Sequence, residues 1–141
     1  MILAAGGALW RANEDGEIEV LLIRTCRGVW SLPKGKQRRS EAALSCALRE
    51  VREEIGFLCV ANHELVTVTY LDRKDRKKQV RFWAMEPQSG TFRPNAEVDA
   101  IAWFPLSSAY TRLSHQRDVL VVSALSHYLN GFADTRALIL A

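Results

Sequence analysis

The stretch Gly35 to Phe57, GKQRRSEAALSCALREVREEIGF, decides how the chain is read. It runs from a glycine-bearing loop into a helix. Ser40 is a good N-cap for a helix starting at Glu41, whose charge suits the positive helix end. Leu44, Ala47, Leu48, Val51 and Ile55 recur at helical spacing and define a buried stripe. Gly56 supplies a left-handed stop. Glu50, Glu53 and Glu54 sit at i, i+3 and i+4, to one side of the stripe, where they can edge a cleft. Like charges so placed repel by a few tenths of a kcal/mol per pair, roughly. The helix dipole also disfavours negative charge at that end. A divalent cation would make the arrangement favourable.

Upstream, Ile2 to Trp10 is apolar and broken by Gly6-Gly7, as in a buried strand whose glycines admit another backbone. Asn13 to Gly16 is a turn signal and Ile18 to Ile23 a second strand, forming a hairpin. Arg24 to Val29 reads as a loop, Trp30 to Pro33 as extended, and Lys34 to Lys36 as loop. Downstream, Leu65 to Leu71 and Gln79 to Met85 form a second hairpin around a charged turn. Glu86 to Asn95 reads as loop, with a short strand near Phe92, and Ala100 to Phe104 as a further strand. A short helix follows over Ser107 to Leu113, then a longer one capped by Ser114 and ending at Gly131.

The full 141 residues fit a single domain, 1–141, of class α/β (α+β), with a mixed sheet and about three helices. The 48% hydrophobic and 25% charged content is that of a globular chain and excludes a disordered or fibrous one. A net charge of +3 does not by itself indicate nucleic acid. Cys26, Cys46 and Cys59 form no CxxC pair, which excludes a zinc knuckle and predicts three reduced thiols. The longest apolar runs fall far short of a membrane span, and the N-terminus lacks a basic segment before its apolar residues. A soluble cytoplasmic protein is the expectation.

The central stretch resembles the Nudix box, G-x5-E-x7-R-E-U-x-E-E-x-G-U, where U is bulky and apolar. Gly35, Glu41, Arg49-Glu50-Val51, Glu53-Glu54 and Gly56-Phe57 fill every fixed position. Trp30 to Lys36 resembles the W-x-L/F-P-K-G-K entry of members that cleave diadenosine polyphosphates and of MutT-type nucleotide-pool sanitisers. Lys77 to Ala84 and the Asn95 to Trp103 segment are similar to the Nudix domain of mycobacterial-type MutT proteins. The likeness covers roughly Ala4 to Asn130. One departure is Arg38-Arg39-Ser40 before Glu41, where many relatives carry an acidic-glycine turn.

The resemblance implies an α/β/α sandwich and a metal-dependent pyrophosphohydrolase. The substrate would be a diadenosine polyphosphate or an (oxidised) nucleoside triphosphate. A 5′-triphosphate RNA end and a non-catalytic nucleotide-sensing module are the alternatives. Mg²⁺ or Mn²⁺, hard ions that prefer carboxylate oxygen, would be held by Glu50, Glu53 and Glu54 with the backbone carbonyl of Lys34. One of these glutamates or a loop residue would act as general base. Glu41 and Arg49 would form a structural ion pair beside the structural glycines Gly35 and Gly56. Glu97 is either a further ligand or an exposed loop carboxylate, with Asp99 and Glu86 as weaker alternatives. Lys34, Lys36, Lys78 and Arg81 are candidate phosphate contacts, and Tyr70, Phe82 and Trp83 are aromatics that either stack a base or pack in the core. Arg73 to Arg76 reads as a solvated hairpin tip. His63, His115 and His127 read as surface or packing residues, His115 lying near a helix start that relatives place beside substrate. The expected partner is a small nucleotide, with no membrane and no nucleic acid beyond an RNA 5′ end, for a monomer or homodimer.

Overall fold

A computed structural model describes residues 1–140, and the side chains of residues 1–131. In chain order the elements are β1 (Ile2–Ala12), β2 (Ile18–Thr25), β3 (Trp30–Ser31), β4 (Lys34–Lys36), α1 (Ala43–Ile55), β5 (Phe57–Leu71), β6 (Lys77–Gly90), β7 (Val98–Pro105), α2 (Leu106–Arg112) and α3 (Gln116–Leu140).

β1 is the hub of a mixed sheet. It pairs in parallel with β6, from Ile2 opposite Lys78 to Leu9 opposite Met85, and antiparallel with β2 and β4. Glycine at position 6 is what lets β4 in. A Cβ there would overlap the Pro33 carbonyl oxygen and the Lys34 side chain. The segment Lys34 to Lys36, expected as loop, is therefore a short strand. Three residues carry no periodic signal of their own, and the long partner strand sets their conformation.

β6 divides the core by simple alternation. Val80, Phe82 and Ala84 pack towards α2 and α3, whereas Trp83 and Met85 pack towards α1. Both Phe82 and Trp83 are buried, on opposite faces, giving helix–sheet–helix layers. The β5–β6 hairpin is longer than expected, because β5 already begins at Phe57. Register shifts at Leu58/Cys59, Ala61/His63 and Glu64/Val66 break its two-residue period, which hides the first half of the strand from pattern reading. β6 likewise continues to Gly90, through part of the expected loop.

Helix boundaries correct four expectations. α1 starts at Ala43, not Glu41, and its N-cap is Ala42 without a side-chain bond. Ser40 sits at a φ of 62°, in a left-handed turn, so it does not cap. Leu44 leaves the buried stripe and is exposed, while Ala43 and Cys46 join it. Ser114 does not cap α3 either; its hydroxyl accepts from the Trp30 amide at 3.1 Å and ties the helix start to β3. α3 runs through Gly131 to Leu140. The Leu138 to Leu140 side chains, with any subunit contact they make, lie outside the described ones. Gly56 is a left-handed stop as expected, with a φ of 79° and its amide donating to the Arg52 carbonyl at 2.9 Å.

Candidate active site

The site is built where the last turns of α1 meet β4. Gly35 has no space for a Cβ, because the Glu50 carboxylate packs directly on it. The Lys34 amide donates to Glu54 Oε2 at 3.2 Å. Loop and helix are then clamped by Arg49. Its Nε and one terminal nitrogen hold Glu41 at 2.7 and 2.8 Å, and the other reaches Glu50 at 2.8 Å and Glu53 at 3.1 Å. A further bond runs to the Lys36 carbonyl at 3.1 Å. The Arg49 hydrogen bonds, followed by one from the Arg38 amide, pull the Glu41 carboxyl down to about 2. Glu53 is half-exposed and also meets Arg38 at 3.3 Å. The unusual arginine before the box glutamate thus supplies a cation to this carboxylate.

Glu54 is placed differently. Burial pushes its carboxyl up to about 8, against the pull of Lys34 and with the push of Glu50 and Glu97. Asn95 brings Glu97 into this neighbourhood. Its Nδ2 donates to the Glu54 carbonyl at 3.0 Å, and its Oδ1 accepts from the amides of Glu97 at 3.0 Å and Val98 at 3.1 Å. Asp99 is engaged elsewhere, by Arg24 at 2.7 Å, and Glu86 accepts from Asn62 at 2.8 Å. Among the described residues, no three acidic, His or Cys side chains close into a preformed cage. Arg49 occupies one oxygen each of Glu50 and Glu53 instead. The donor set nonetheless fits a hard divalent ion: it is all oxygen, and Glu54 faces two further carboxylates without an arginine of its own.

Beside the carboxylates lie two cavities. One, of about 360 Å³, includes Glu97, Ser31 and Arg27 in its lining; the other, of about 560 Å³, includes Lys36, Tyr70, Arg73 and Lys78. Lys34, Arg73, His115 and Arg117 line both, with Val29. Burial, then the charges of Lys34 and Lys36, lower the Lys78 pKa, and burial raises that of Tyr70. Arg117 lies 3.7 Å above the Tyr70 ring. Arg81 is not brought here. It pairs with Glu64 at 2.8 Å on the α1 face of the sheet, whereas Lys78 follows Val80 and Phe82 to the other. The hairpin tip, expected to be merely solvated, contributes Arg73, Lys74 and Arg76 to the larger cavity.

With this geometry in place, the likeness to known proteins is decisive. Residues 2–123 match the family described as NUDIX domain. The chain belongs to this family. This Nudix chain is 38% identical over 126 residues to an 8-oxo-(d)GTP phosphatase of Mycolicibacterium smegmatis, covering 83% of the chain and 39% of that relative. It is 33% identical over 131 residues to human 8-oxo-dGDP phosphatase NUDT18, covering 86% of the chain and 38% of the relative. The chain therefore spans about two fifths of the length of these relatives. In fold it is similar to a Caenorhabditis elegans Ap4A hydrolase, with a TM-score of 0.83, 23% identity, and coverage of 93% of this chain and 99% of that one.

Arg117 and Asp118 have no counterpart among the residues singled out from the sequence alone, and Asn95 stands there only as the first residue of the Asn95 to Trp103 segment, with no role in the site assigned to it. An Asn two residues before an acidic one was the available sign of an Asx turn. Nothing local distinguishes Arg117 or Asp118, which matter because the turn before α3 is tied to β3 through Ser114 and Trp30.

Proposed function

We propose that this Nudix chain hydrolyses a pyrophosphate bond of a nucleotide with a divalent metal, Mg²⁺ or Mn²⁺. The observation that carries this reading is Glu54, a carboxyl pushed up to about 8 by burial and by Glu50 and Glu97, whose neighbours Lys34 and Glu97 line a cleft with Arg27, Arg73 and Arg117. Glu50, Glu53, Glu54 and Glu97 would hold the metal. Lys34 supports them from its backbone: it stands opposite Gly6, and in an extended residue the amide and carbonyl face the same edge, here that of Glu54. When bound, the ion would neutralise phosphate oxygens and make water nucleophilic near neutral pH.

The protein's own groups do the remaining work. Lys34, Lys36 and Lys78 place point charges where a phosphate chain would run. Tyr70, braced by Arg117, offers a ring edge at the floor of the larger cavity. Arg49 keeps Glu50 and Glu53 oriented before an ion arrives. The 38% identity to a phosphatase named for 8-oxo-(d)GTP favours oxidised purine nucleoside triphosphates, with diadenosine polyphosphates second.

The test is a panel of 8-oxo-dGTP, dGTP, diadenosine tetraphosphate, ADP-ribose and triphosphorylated RNA, each with Mg²⁺ or Mn²⁺. Metal-dependent cleavage of 8-oxo-dGTP above the others is the expected result. Failure to cleave any member would sink the hydrolase reading.

A further inference from the structure

Asp118, in the first turn of α3, has 0% exposure, and neither carboxylate oxygen has a hydrogen-bond partner among the described residues. Burying a carboxylate this way is costly, and an uncharged side chain of the same shape would relieve the cost. Burial raises its pKa, opposed by the charges of Lys34, Arg117 and His115 in that order. All three line both cavities, as do Val29 and Arg73. They come from different places: Lys34 from β4, His115 from the turn before α3, and Arg117 from α3 itself. Arg117 is seated on Tyr70, and its Nε is also buried without a partner. The cleft wall thus gathers the cations Lys34, Arg73 and Arg117, which repel one another, while the Asp118 carboxylate is buried where solvent screens it little.

We propose that Asp118 is a positioning residue whose buried charge holds Lys34 and Arg117 together at the shared wall, so that both meet a phosphate chain at once. This rests on the phosphoanhydride reading of the site and extends it: Arg117 becomes a phosphate-binding residue, and Asp118 acts through it without touching substrate. The sign of the effect separates this role from two simpler ones. If Asp118 only contributed to the field, removing its charge would make the cleft more positive and tighten anion binding. If it only supported the fold, its removal would lower stability and leave binding by the folded protein unchanged. Positioning demands weaker binding without a loss of stability.

The experiment uses the whole chain as wild type, Asp118→Asn, Arg117→Gln and the double variant. Binding of inorganic tripolyphosphate is measured by calorimetry without added metal, alongside Tm and the kcat and KM for the best nucleotide of the panel. Each single change is expected to weaken tripolyphosphate binding about tenfold, and the double no more than either alone, since the two residues act as one unit. Asp118→Asn should raise KM with kcat within about twofold, and its Tm should equal or exceed that of wild type. Tripolyphosphate binding by Asp118→Asn as tight as wild type or tighter would overturn the proposal. So would additive losses in the double variant, or an Asp118→Asn chain that does not fold. A wild type that binds tripolyphosphate yet cleaves no nucleotide would defeat the hydrolase reading alone, and the binding series would still decide the role of Asp118.

Discussion

Glu41 and Glu54 stand at opposite ends of one loop–helix unit and are treated in opposite ways. Around Arg49 the chain ties a closed knot: Glu41 is held by two short bonds and pulled down to about 2, and Glu50 and Glu53 share the other guanidinium nitrogen. One turn on, Glu54 has a single backbone amide, two neighbouring carboxylates, and a carboxyl pushed up to about 8. The same residue type is satisfied by the protein at one end and left wanting at the other. Where the fold supplies the cation, the carboxylate braces; where it does not, the carboxyl is left for the ion we propose.

Replacing Glu54 should have the largest effect. Glu54→Gln keeps the shape and removes the charge, so kcat/KM with Mg²⁺ should fall on the order of a thousandfold, about 4 kcal/mol of transition-state stabilisation. Its metal-free Tm at pH 8 should not fall. An equal loss of Tm and activity would erase the distinction between the two ends. Arg49→Met cuts the knot and should do the reverse, lowering Tm on the order of 5 °C and activity by roughly a hundredfold. Thermal denaturation beside steady-state kinetics checks both.

Asn95→Ala releases Glu97 from the end of α1 and should cost about tenfold in activity at limiting Mg²⁺, recovering as Mg²⁺ is raised. No dependence on Mg²⁺ would remove Glu97 from the metal site. The smallest expected effect is the pH dependence of the metal-free protein. In the unfolded chain Glu54 loses its proton around the ordinary value of 4.5, whereas the folded site keeps it to about 8. Between those values the folded state holds more protons, so stability falls as pH rises. Partial solvent access tempers the size, and a Tm decline of a few degrees, roughly, is expected from pH 5 to pH 8. Mg²⁺ should flatten it.

What could be read from the sequence follows from how local each feature is. Gly35, Glu41, Arg49, Glu50, Glu53, Glu54 and Gly56 act within one helix and its entry loop, so their spacing carries their arrangement. Ser40 and Ser114 mislead because residue type suggests a cap while the backbone or a distant strand decides otherwise. β4 and the bulged start of β5 depend on pairing with distant strands, which no local period announces. Asn95 and Arg117 reach the site only through the fold. Arg81 is a different case: three residues from Lys78 in a strand, it had to face the other way.

The claim that Glu54 awaits a cation is tested most directly by counting protons. Mg²⁺ binding at pH 7 can be followed by calorimetry in buffers of different ionisation enthalpy, for wild type and Glu54→Gln. A carboxyl that titrates at about 8 is mostly protonated at that pH, so binding should expel about one proton from wild type and close to none from the variant. Mg²⁺ binding to wild type with no proton release would contradict the account.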